Sequence, residues 1–226
     1  MRFYQFFQAF VSYGACALRG KALAAVILLL PAPVLAAPVS LVAFGDSLTQ
    51  GYGLIEQDGF VPQLRGWLAD HGATARVINA GVSGDTTSGG LARIDWTLTD
   101  DVQGMILALG GNDVLRGTDP GLIRANITGI LQVAQAKGVD VLLVGMQAPG
   151  NFGPDYSREF NAIWPDLAAE FGAIYVRSFF EGLGTDDPAQ LRDLFQPDGI
   201  HPNADGVALI VQSLGPHVIE LIDRAQ

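Results

Sequence analysis

LVAFGDSLT, the sequence of residues 41–49, runs from an apolar segment straight into a Gly-Asp-Ser turn. The apolar residues 41–44 predict a strand, because strands covered on both faces of a parallel sheet are almost continuously hydrophobic. Gly45 and Asp46 predict a sharp turn after that strand. Ser47 would then lie at the carboxyl end of the strand, the edge at which open α/β sheets place their sites.

The rest of the chain alternates between strand-length apolar runs and helix-length segments. Further strands are predicted over residues 76–79, 104–109, 139–146 and 173–177. Helices are predicted over residues 60–70, 87–98, 122–137, 156–171 and 204–224, and Pro216 should kink or divide the last of them. This alternation predicts the α/β class, with a central, mostly parallel five-stranded sheet between helices in three α/β/α layers.

A second motif, Asp198-Gly199-Ile200-His201-Pro202, lies close to the C-terminus. A serine hydroxyl is a poor nucleophile at neutral pH and needs a nearby base, which in turn needs a partner that fixes its tautomer. His201 could serve as that base, and Asp198 as the partner. Taken alone, the motif is equally an ordinary Asp-Gly turn beside a surface histidine. Together with Ser47 it predicts a nucleophilic Ser-His-Asp site.

Two more apolar runs end in glycine-rich loops and predict further parts of the same site. Residues 106–109 lead into Gly110-Gly111-Asn112-Asp113, and residues 77–80 lead into Gly81-Val82-Ser83-Gly84-Asp85. Acyl transfer places negative charge on a carbonyl oxygen and therefore needs hydrogen-bond donors aimed at that oxygen. The Asn112 side-chain amide and the Gly84 backbone N–H are suitable donors. The alternative is that both segments serve only as loops.

Four segments of the chain resemble, in order, the sequence blocks of the GDSL or SGNH hydrolase family: Gly45-Asp46-Ser47-Leu48, the Gly84 loop, Gly111-Asn112-Asp113 and the motif at residues 198–202. The Ser, Gly, Asn and His of the family name correspond to Ser47, Gly84, Asn112 and His201. The resemblance extends over roughly residues 40–222 and is greatest to the bacterial periplasmic branch of acyl-thioesterases, lysophospholipases and arylesterases. It implies the flavodoxin-like SGNH hydrolase fold in one domain, residues 37–226.

The resemblance also implies a serine esterase that needs no metal or cofactor. Ser47 would attack the acyl carbon, His201 would accept its proton, and Asp198 would orient His201. The Ser47 N–H, the Gly84 N–H and the Asn112 amide would form the oxyanion hole. The product of the attack would be an acyl-enzyme, which water activated by His201 would hydrolyse.

Residues beside these motifs are expected to shape the site. Asp46 and Asp113 would hold loops together through hydrogen bonds to the backbone. Leu115, Asn151 and Phe152 would line the substrate pocket, and the apolar content of their segments suits an acyl or aryl group better than a sugar. Oxygen esters, thioesters and lysophospholipids all remain open as substrates.

Two other functions are compatible with the same fold. One is a cell-wall carbohydrate acetylesterase or acyltransferase, although the sequence has no extended acceptor-binding segment. The other is a non-catalytic binding module, although all four blocks are intact. Release of the alcohol from an ester substrate would distinguish an enzyme from the non-catalytic module.

Residues 1–36 have the composition of a secretory signal peptide. They contain Arg2, Arg19 and Lys21 but no acidic residue, and the apolar run 22–30 precedes small residues suited to signal peptidase. Cleavage after Ala36 would make the protein periplasmic or secreted, with no stable membrane anchor. An uncleaved anchor helix is the alternative.

Residues 37–226 are strongly acidic. Without the three basic residues of the signal, 10 of the 13 Lys and Arg remain against 23 Asp and Glu, which gives a net charge of −13. This charge argues against binding to nucleic acid or to anionic lipid. The single cysteine, Cys16, lies in the predicted signal, and the three histidines have no metal-ligand spacing, so neither a disulfide nor a metal site is expected. A small-molecule ester or thioester is the expected partner.

Overall fold

The computed structural model describes residues 38–184 and 191–226, so the predicted signal peptide lies outside the described residues. The strands are β1 (Val39–Gly45), β2 (Ala75–Gly81), β3 (Gly104–Ala108), β4 (Asp140–Val144) and β5 (Ile174–Val176). The helices are α1 (Ser47–Gln50), α2 (Phe60–Asp70), α3 (Thr87–Thr97), α4 (Gly111–Leu115), α5 (Pro120–Ala136), α6 (Pro154–Phe171) and α7 (Ala204–Arg224). The predicted alternation of strands and helices is confirmed.

The five strands form one parallel sheet in the order β2-β1-β3-β4-β5. The chain leaves β1 toward β2 on one side and later returns to place β3 on the other side of β1. The carboxyl ends of β1 and β3 therefore flank the point at which the strand order reverses. Doubly wound sheets bind their ligands in the crevice at this point.

Helices cover both faces of the sheet and create the three predicted layers. α2 and α7 pack together on one face, whereas α3, α5 and α6 pack side by side on the other. Every residue of β1 and β3 is buried, because both strands are central and covered on both faces. The β2 edge strand is only partly buried. The two fully buried strands thus end directly beneath the loops that follow β1 and β3.

Two short helices at these strand ends differ from the prediction of simple turns and loops. α1 begins at Ser47, two residues after β1 ends, and α4 begins at Gly111, three residues after β3 ends. Helices of four and five residues are too short to show an apolar period.

α7 runs unbroken through Pro216, so the prediction that this proline could divide the helix is wrong. A proline inside a helix removes one hydrogen bond and destabilises the helix by about 3 kcal/mol. Packing offsets that loss, since Leu214 and Val218 are buried and Gly215 brings the helix against the Trp67 ring of α2. By length and composition α7 could also span a membrane, but half of its most apolar stretch is buried inside the protein, as in a core helix.

Candidate active site

Ser47 lies in a tight strand-to-helix turn at the carboxyl end of β1. Asp46 is the N-cap of α1, and its Oδ1 accepts a hydrogen bond of 3.0 Å from the Leu48 N–H. A Cβ at Gly45 would collide with the Thr49 side chain and would lie 2.7 Å from the carbonyl oxygen of the adjacent β3 strand. Only glycine therefore fits at the end of β1, and the turn places Ser47 half-buried at the crevice.

The structure joins Ser47, His201 and Asp198 by two hydrogen bonds. His201 Nε2 lies 2.9 Å from Ser47 Oγ, and His201 Nδ1 lies 2.7 Å from Asp198 Oδ2. A carboxylate can only accept, so this network assigns the ring proton to Nδ1 and leaves the Nε2 lone pair facing the serine hydroxyl. The three residues predicted from the sequence thus form a chain from carboxylate to imidazole to hydroxyl.

Asp198 is also bound by its own loop. Its Oδ1 accepts from the backbone N–H groups of Ile200 and His201 at 2.9 and 3.0 Å. The backbone N–H of His201, the His201 ring and the Ile200 N–H together hold the pKa of Asp198 down at about 2. Asp198 is therefore a carboxylate throughout the pH range in which histidine titrates.

The loop that carries His201 is closed by bonds between its two ends. Phe195 and Pro202 form an isolated antiparallel bridge, and the Gln196 N–H donates to the His201 carbonyl at 2.8 Å. The Gln196 side chain donates to the carbonyls of Pro202 at 3.0 Å and Tyr52 at 2.8 Å. The Tyr52 ring lies 4.7 Å from the His201 ring, at a tilt of 41°. Gln196 and Tyr52, which the sequence did not single out, thus fasten the histidine loop to the segment after α1.

Asn112 lies in the first turn of α4, beside the Ser47 turn. β1 and β3 are neighbours, with Gly45 in register with Ala108, so the loops that follow them meet. The Asn112 Nδ2 donates to Asp46 Oδ2 at 3.2 Å. Since a primary amide has two N–H groups, one remains for an acyl oxygen.

Gly84 lies in an exposed loop after β2, with a left-handed φ of 78° that favours glycine. The Val82 N–H donates to the carbonyl of Gly45 at 3.1 Å, and the Ser83 hydroxyl donates to the Gln50 side chain of α1. Arg116, just after α4, donates to the Gly84 carbonyl at 2.9 Å. These bonds bring the Gly84 loop next to both α1 and the segment after α4.

Arg93 is a buried cation that sequence reasoning missed. Its guanidinium lies 3.8 Å from the centroid of the Phe44 ring and donates to Asp85 at 2.7 Å and to the carbonyls of Ala80 and Gly45 at 2.9 Å. The Arg93 and Asp85 side chains are each only 10% exposed. One side chain thus ties the ends of β1 and β2 to the Gly84 loop. The available signal was an arginine in helical register with Gly90 and next to Ile94, eight residues after an aspartate.

Asp46 and Asp113 are both 1% exposed, and both accept a backbone N–H, as the sequence predicted. Asp113 binds the Thr87 N–H at 2.8 Å and the Thr87 hydroxyl at 2.7 Å, which joins α4 to the start of α3. Burial raises the pKa of Asp46 to about 6, against the lowering by the Leu48 N–H, the Asn112 amide and His201. Unlike Asp113, Asp46 also accepts from Asn112, the side chain predicted to bind the acyl oxygen.

The three predicted pocket residues lie in the segments that follow β3 and β4, at the same edge of the sheet as Ser47. Leu115 ends α4, and its side chain is 60% exposed. Asn151 and Phe152 are also exposed and belong to a short 3-10 turn after β4. The Phe152 ring stacks on Tyr156 with 5.0 Å between centroids, and the Tyr156 hydroxyl donates to the Thr118 carbonyl at 2.9 Å. Tyr156 therefore connects the loop after β4 to the segment after α4.

Comparison with known proteins places this arrangement in a family. Residues 43–209 match the GDSL-like Lipase/Acylhydrolase family. The chain is 37% identical over 188 residues to "Esterase TesA" of Pseudomonas aeruginosa, a match that covers 83% of this chain and 91% of the relative. It is 34% identical over 191 residues to "Thioesterase 1/protease 1/lysophospholipase L1" of Escherichia coli K12, with coverage of 84% and 88%.

A solved structure matches at the level of the fold. The crystal structure of "AlinE4, a SGNH-hydrolase family esterase" superimposes with a TM-score of 0.67 at 43% identity, covering 81% of this chain and 96% of that one. The matched family, the relatives and the fold agree with the hydrogen-bonded serine, histidine and aspartate at the switch point. The chain belongs to the GDSL-like lipase/acylhydrolase family and is an ester-bond hydrolase.

Proposed function

We propose that the protein is a serine esterase that hydrolyses small acyl or aryl esters or thioesters through an acyl-enzyme on Ser47. The observation that carries the proposal is the chain of hydrogen bonds from Asp198 through His201 to Ser47. A serine with a base at 2.9 Å, itself oriented by a carboxylate, is the arrangement that activates a hydroxyl for nucleophilic attack.

Acylation begins when Ser47 Oγ attacks the acyl carbon and its proton passes to His201 Nε2. Asp198 stabilises the imidazolium that forms, because it remains a carboxylate. The negative charge on the acyl oxygen is bound by the Asn112 amide, the Gly84 N–H and the N–H of Ser47. The Ser47 N–H is available because the first N–H groups of a helix have no partner within it.

Collapse of the tetrahedral intermediate breaks the bond to the leaving oxygen or sulfur. His201 returns its proton to that atom, and an alcohol or thiol departs. Water then enters, loses a proton to His201 and attacks the acyl-enzyme. The second collapse frees the carboxylic acid and returns the proton to Ser47.

An apolar substrate is supported by the side chains around the crevice. Six exposed large apolar residues lie at this edge of the sheet, in the segments that follow β1 to β4 and in the His201 loop, and we call them the apolar rim: Tyr52, Ile55, Val82, Leu115, Phe152 and Ile200. Each follows or lies within a segment that carries a proposed catalytic or pocket residue. Exposed apolar side chains grouped at one place mark a binding surface more often than scattered ones do. The names of the relatives, which include esterase, thioesterase and lysophospholipase, support an acyl group as the ligand.

Covalent labelling of the proposed nucleophile tests the mechanism directly. An active-site-directed alkyl phosphonate should add one phosphonyl group to Ser47, identified by mass spectrometry of the peptides. Prior removal of the His201 imidazole by His201→Ala should abolish the labelling. A label on another residue, or labelling that is independent of His201, would contradict the proposal.

The acyl preference can be measured with p-nitrophenyl esters from acetate to palmitate and with matched acyl thioesters. The apolar rim predicts higher kcat/KM for medium chains than for acetate. Turnover of acetylated cell-wall sugars with little turnover of the other esters would favour the carbohydrate acetylesterase alternative. Transfer of the acyl group to a sugar without hydrolysis would favour an acyltransferase.

We also propose that residues 1–36 direct export and are then removed. The support is compositional: three basic residues, no acidic residue and an apolar run before small residues. The mature protein, recovered from the periplasm or the medium, should begin at Ala37 on N-terminal sequencing. Recovery of the full-length chain in the membrane fraction would favour an uncleaved anchor helix.

A further inference from the structure

The carboxylate of Asp46 does more than cap α1. Capping requires one oxygen, and Oδ1 supplies it by accepting from the Leu48 N–H at 3.0 Å. The other oxygen, Oδ2, accepts from the Asn112 side chain, 66 positions later in the chain, at 3.2 Å. At 1% exposure, Asp46 has no water shell to replace either partner.

This second bond fixes which end of the Asn112 amide faces Asp46. An ionised carboxylate only accepts, whereas the two ends of a primary amide are an acceptor oxygen and a donor NH₂. The amide must therefore turn Nδ2 toward Asp46, and the flipped orientation would place two acceptors together. Gly111 allows this approach, because a Cβ there would lie 3.2 Å from Asp46 Oδ2.

We propose that Asp46 is a positioning residue for the oxyanion hole: its carboxylate holds the Asn112 amide so that the remaining N–H is presented to the acyl oxygen. The proposal rests on the proposed function, in which Asn112 is an oxyanion donor. Asp46 itself does not touch the substrate. Its effect on the rate passes through Asn112 alone.

The electrostatics of Asp46 supports a role beyond capping. Burial raises the pKa of Asp46 to about 6, so the carboxylate is held at neutral pH against an unfavourable desolvation. Asparagine caps helices as well as aspartate does and would avoid that loss. An amide at position 46 could, however, present a donor to Asn112, which a carboxylate never does.

Protonation of Asp46 should therefore matter on the acid side of the rate profile. The charged groups near Asp46 are His201, which lowers its pKa, and Asp85, which raises it. Arg93 lies behind the turn with its guanidinium on the Gly45 carbonyl, and the Asp113 carboxylate is turned toward Thr87. Once protonated, Asp46 can donate as well as accept, and the Asn112 amide is no longer held in one orientation.

A double-mutant cycle tests whether Asp46 acts through Asn112. With a p-nitrophenyl ester, Asn112→Ala should lower kcat about 10²- to 10³-fold, the usual loss for one oxyanion donor. Asp46→Asn should lower kcat at least about tenfold but less than that loss, with little change in KM. The double variant should be no slower than Asn112→Ala, because the amide that Asp46 holds is already gone.

Full multiplication of the two losses in the double variant would overturn the inference and leave the proposed function intact. An unchanged kcat in Asn112→Ala would overturn both the inference and the assignment of Asn112 to the oxyanion hole. Asp113→Asn is the matched control, since Asp113 is equally buried and lies beside Asn112 but binds Thr87. We expect it to lower the unfolding temperature, whereas Asp46→Asn should not.

A second measurement needs no variant at position 46. In the wild type, kcat should fall more steeply below about pH 6 than in Asn112→Ala, because only the wild type loses the held amide when Asp46 is protonated. The remaining acid limb, which belongs to the general base, should appear in both. Superimposable pH profiles for the two proteins would overturn the inference even if Asp46→Asn failed to fold.

Discussion

The Ser47 turn and the His201 loop each place an aspartate beside a residue proposed to react, in opposite surroundings. Asp46 lies at the end of the central strand and is 1% exposed, and burial raises its pKa to about 6. The Asp198 side chain lies on a surface loop and is 37% exposed, and hydrogen bonds from its own loop lower its pKa to about 2. Within one site, the fold therefore shifts the pKa values of two aspartates in opposite directions.

The difference follows from what each carboxylate must do. In the proposed mechanism Asp198 must stay charged to stabilise the imidazolium, and two backbone N–H groups on a short loop stabilise that charge without burial. In the proposed positioning role Asp46 must stay in place to hold the Asn112 side chain, and burial at the end of β1 excludes water that could replace that bond. Asp46 therefore loses its charge as pH falls through about 6, whereas Asp198 stays charged until the pH approaches about 2.

The largest effect is expected from removal of the Ser47 hydroxyl, the proposed nucleophile that both regions support. Ser47→Ala should lower kcat by about 10⁶, the usual loss of a serine nucleophile, while the protein remains folded. Ser88→Ala, on the exposed surface of α3, is the control for loss of a serine hydroxyl and should keep its turnover. A tenth of the wild-type kcat in purified Ser47→Ala would mean that another residue is the nucleophile.

The next largest effect is expected from a change in the His201 loop. Asp198→Asn should lower kcat by about 10⁴, because an amide N–H facing His201 Nδ1 favours the tautomer that carries its proton on Nε2. KM should change little. Asp193→Asn, an exposed aspartate in the same loop region, is the matched control and should retain most of the turnover. A similar loss in both variants would point to disruption of the loop rather than to the tautomer.

The sequence allowed Ser47, His201 and Asp198 to be proposed as the reacting residues because each motif is local, and the structure brings the three side chains into hydrogen-bond contact. Asp198 and His201 are three residues apart, and Ser47 follows an apolar strand directly, so each motif could be recognised without knowledge of the fold. The bonds that support them could not be predicted in this way. Asp46 meets Asn112 across 66 positions and Arg93 meets the Gly45 carbonyl across 48, and such pairs depend on which strands become neighbours.

The fold shows the same division. The central strands were predicted because a strand buried on both faces is almost continuously apolar, as β1 is. The continuity of α7 through Pro216 was not predicted, because packing of α7 against α2 offsets the loss that a proline causes in a helix. The assignment of residues 1–36 to a signal peptide stays a prediction.

A smaller effect tests the Ser47 turn through the pH dependence of stability. The pKa of Asp46 is raised from 3.8 to about 6 on folding, so the folded state binds the proton more tightly than the unfolded state. Its contribution is complete below about pH 4 and is lost as pH rises through about 6. Asp46→Asn should therefore gain free energy of unfolding over the wild type between pH 4 and 7, by about 3 kcal/mol in order of magnitude. Urea unfolding at several pH values measures this, and a constant difference would show that Asp46 is not protonated on folding.

The smallest effect is expected at Asp198 in the His201 loop, where stability should depend on pH in the opposite direction. The pKa of Asp198 is lowered on folding, so its contribution to the free energy of unfolding is present above about pH 4 and is lost as pH falls toward about 2. Asp198→Asn should therefore be less stable than the wild type near neutrality and should approach it in acid. The difference should be small and should shrink with added salt, because solvent screens a carboxylate that is 37% exposed. The opposite outcome would be a stability of Asp198→Asn that rises with pH relative to the wild type, as expected for Asp46→Asn. The pKa values of both aspartates would then be raised on folding, and the contrast between the two regions would be wrong.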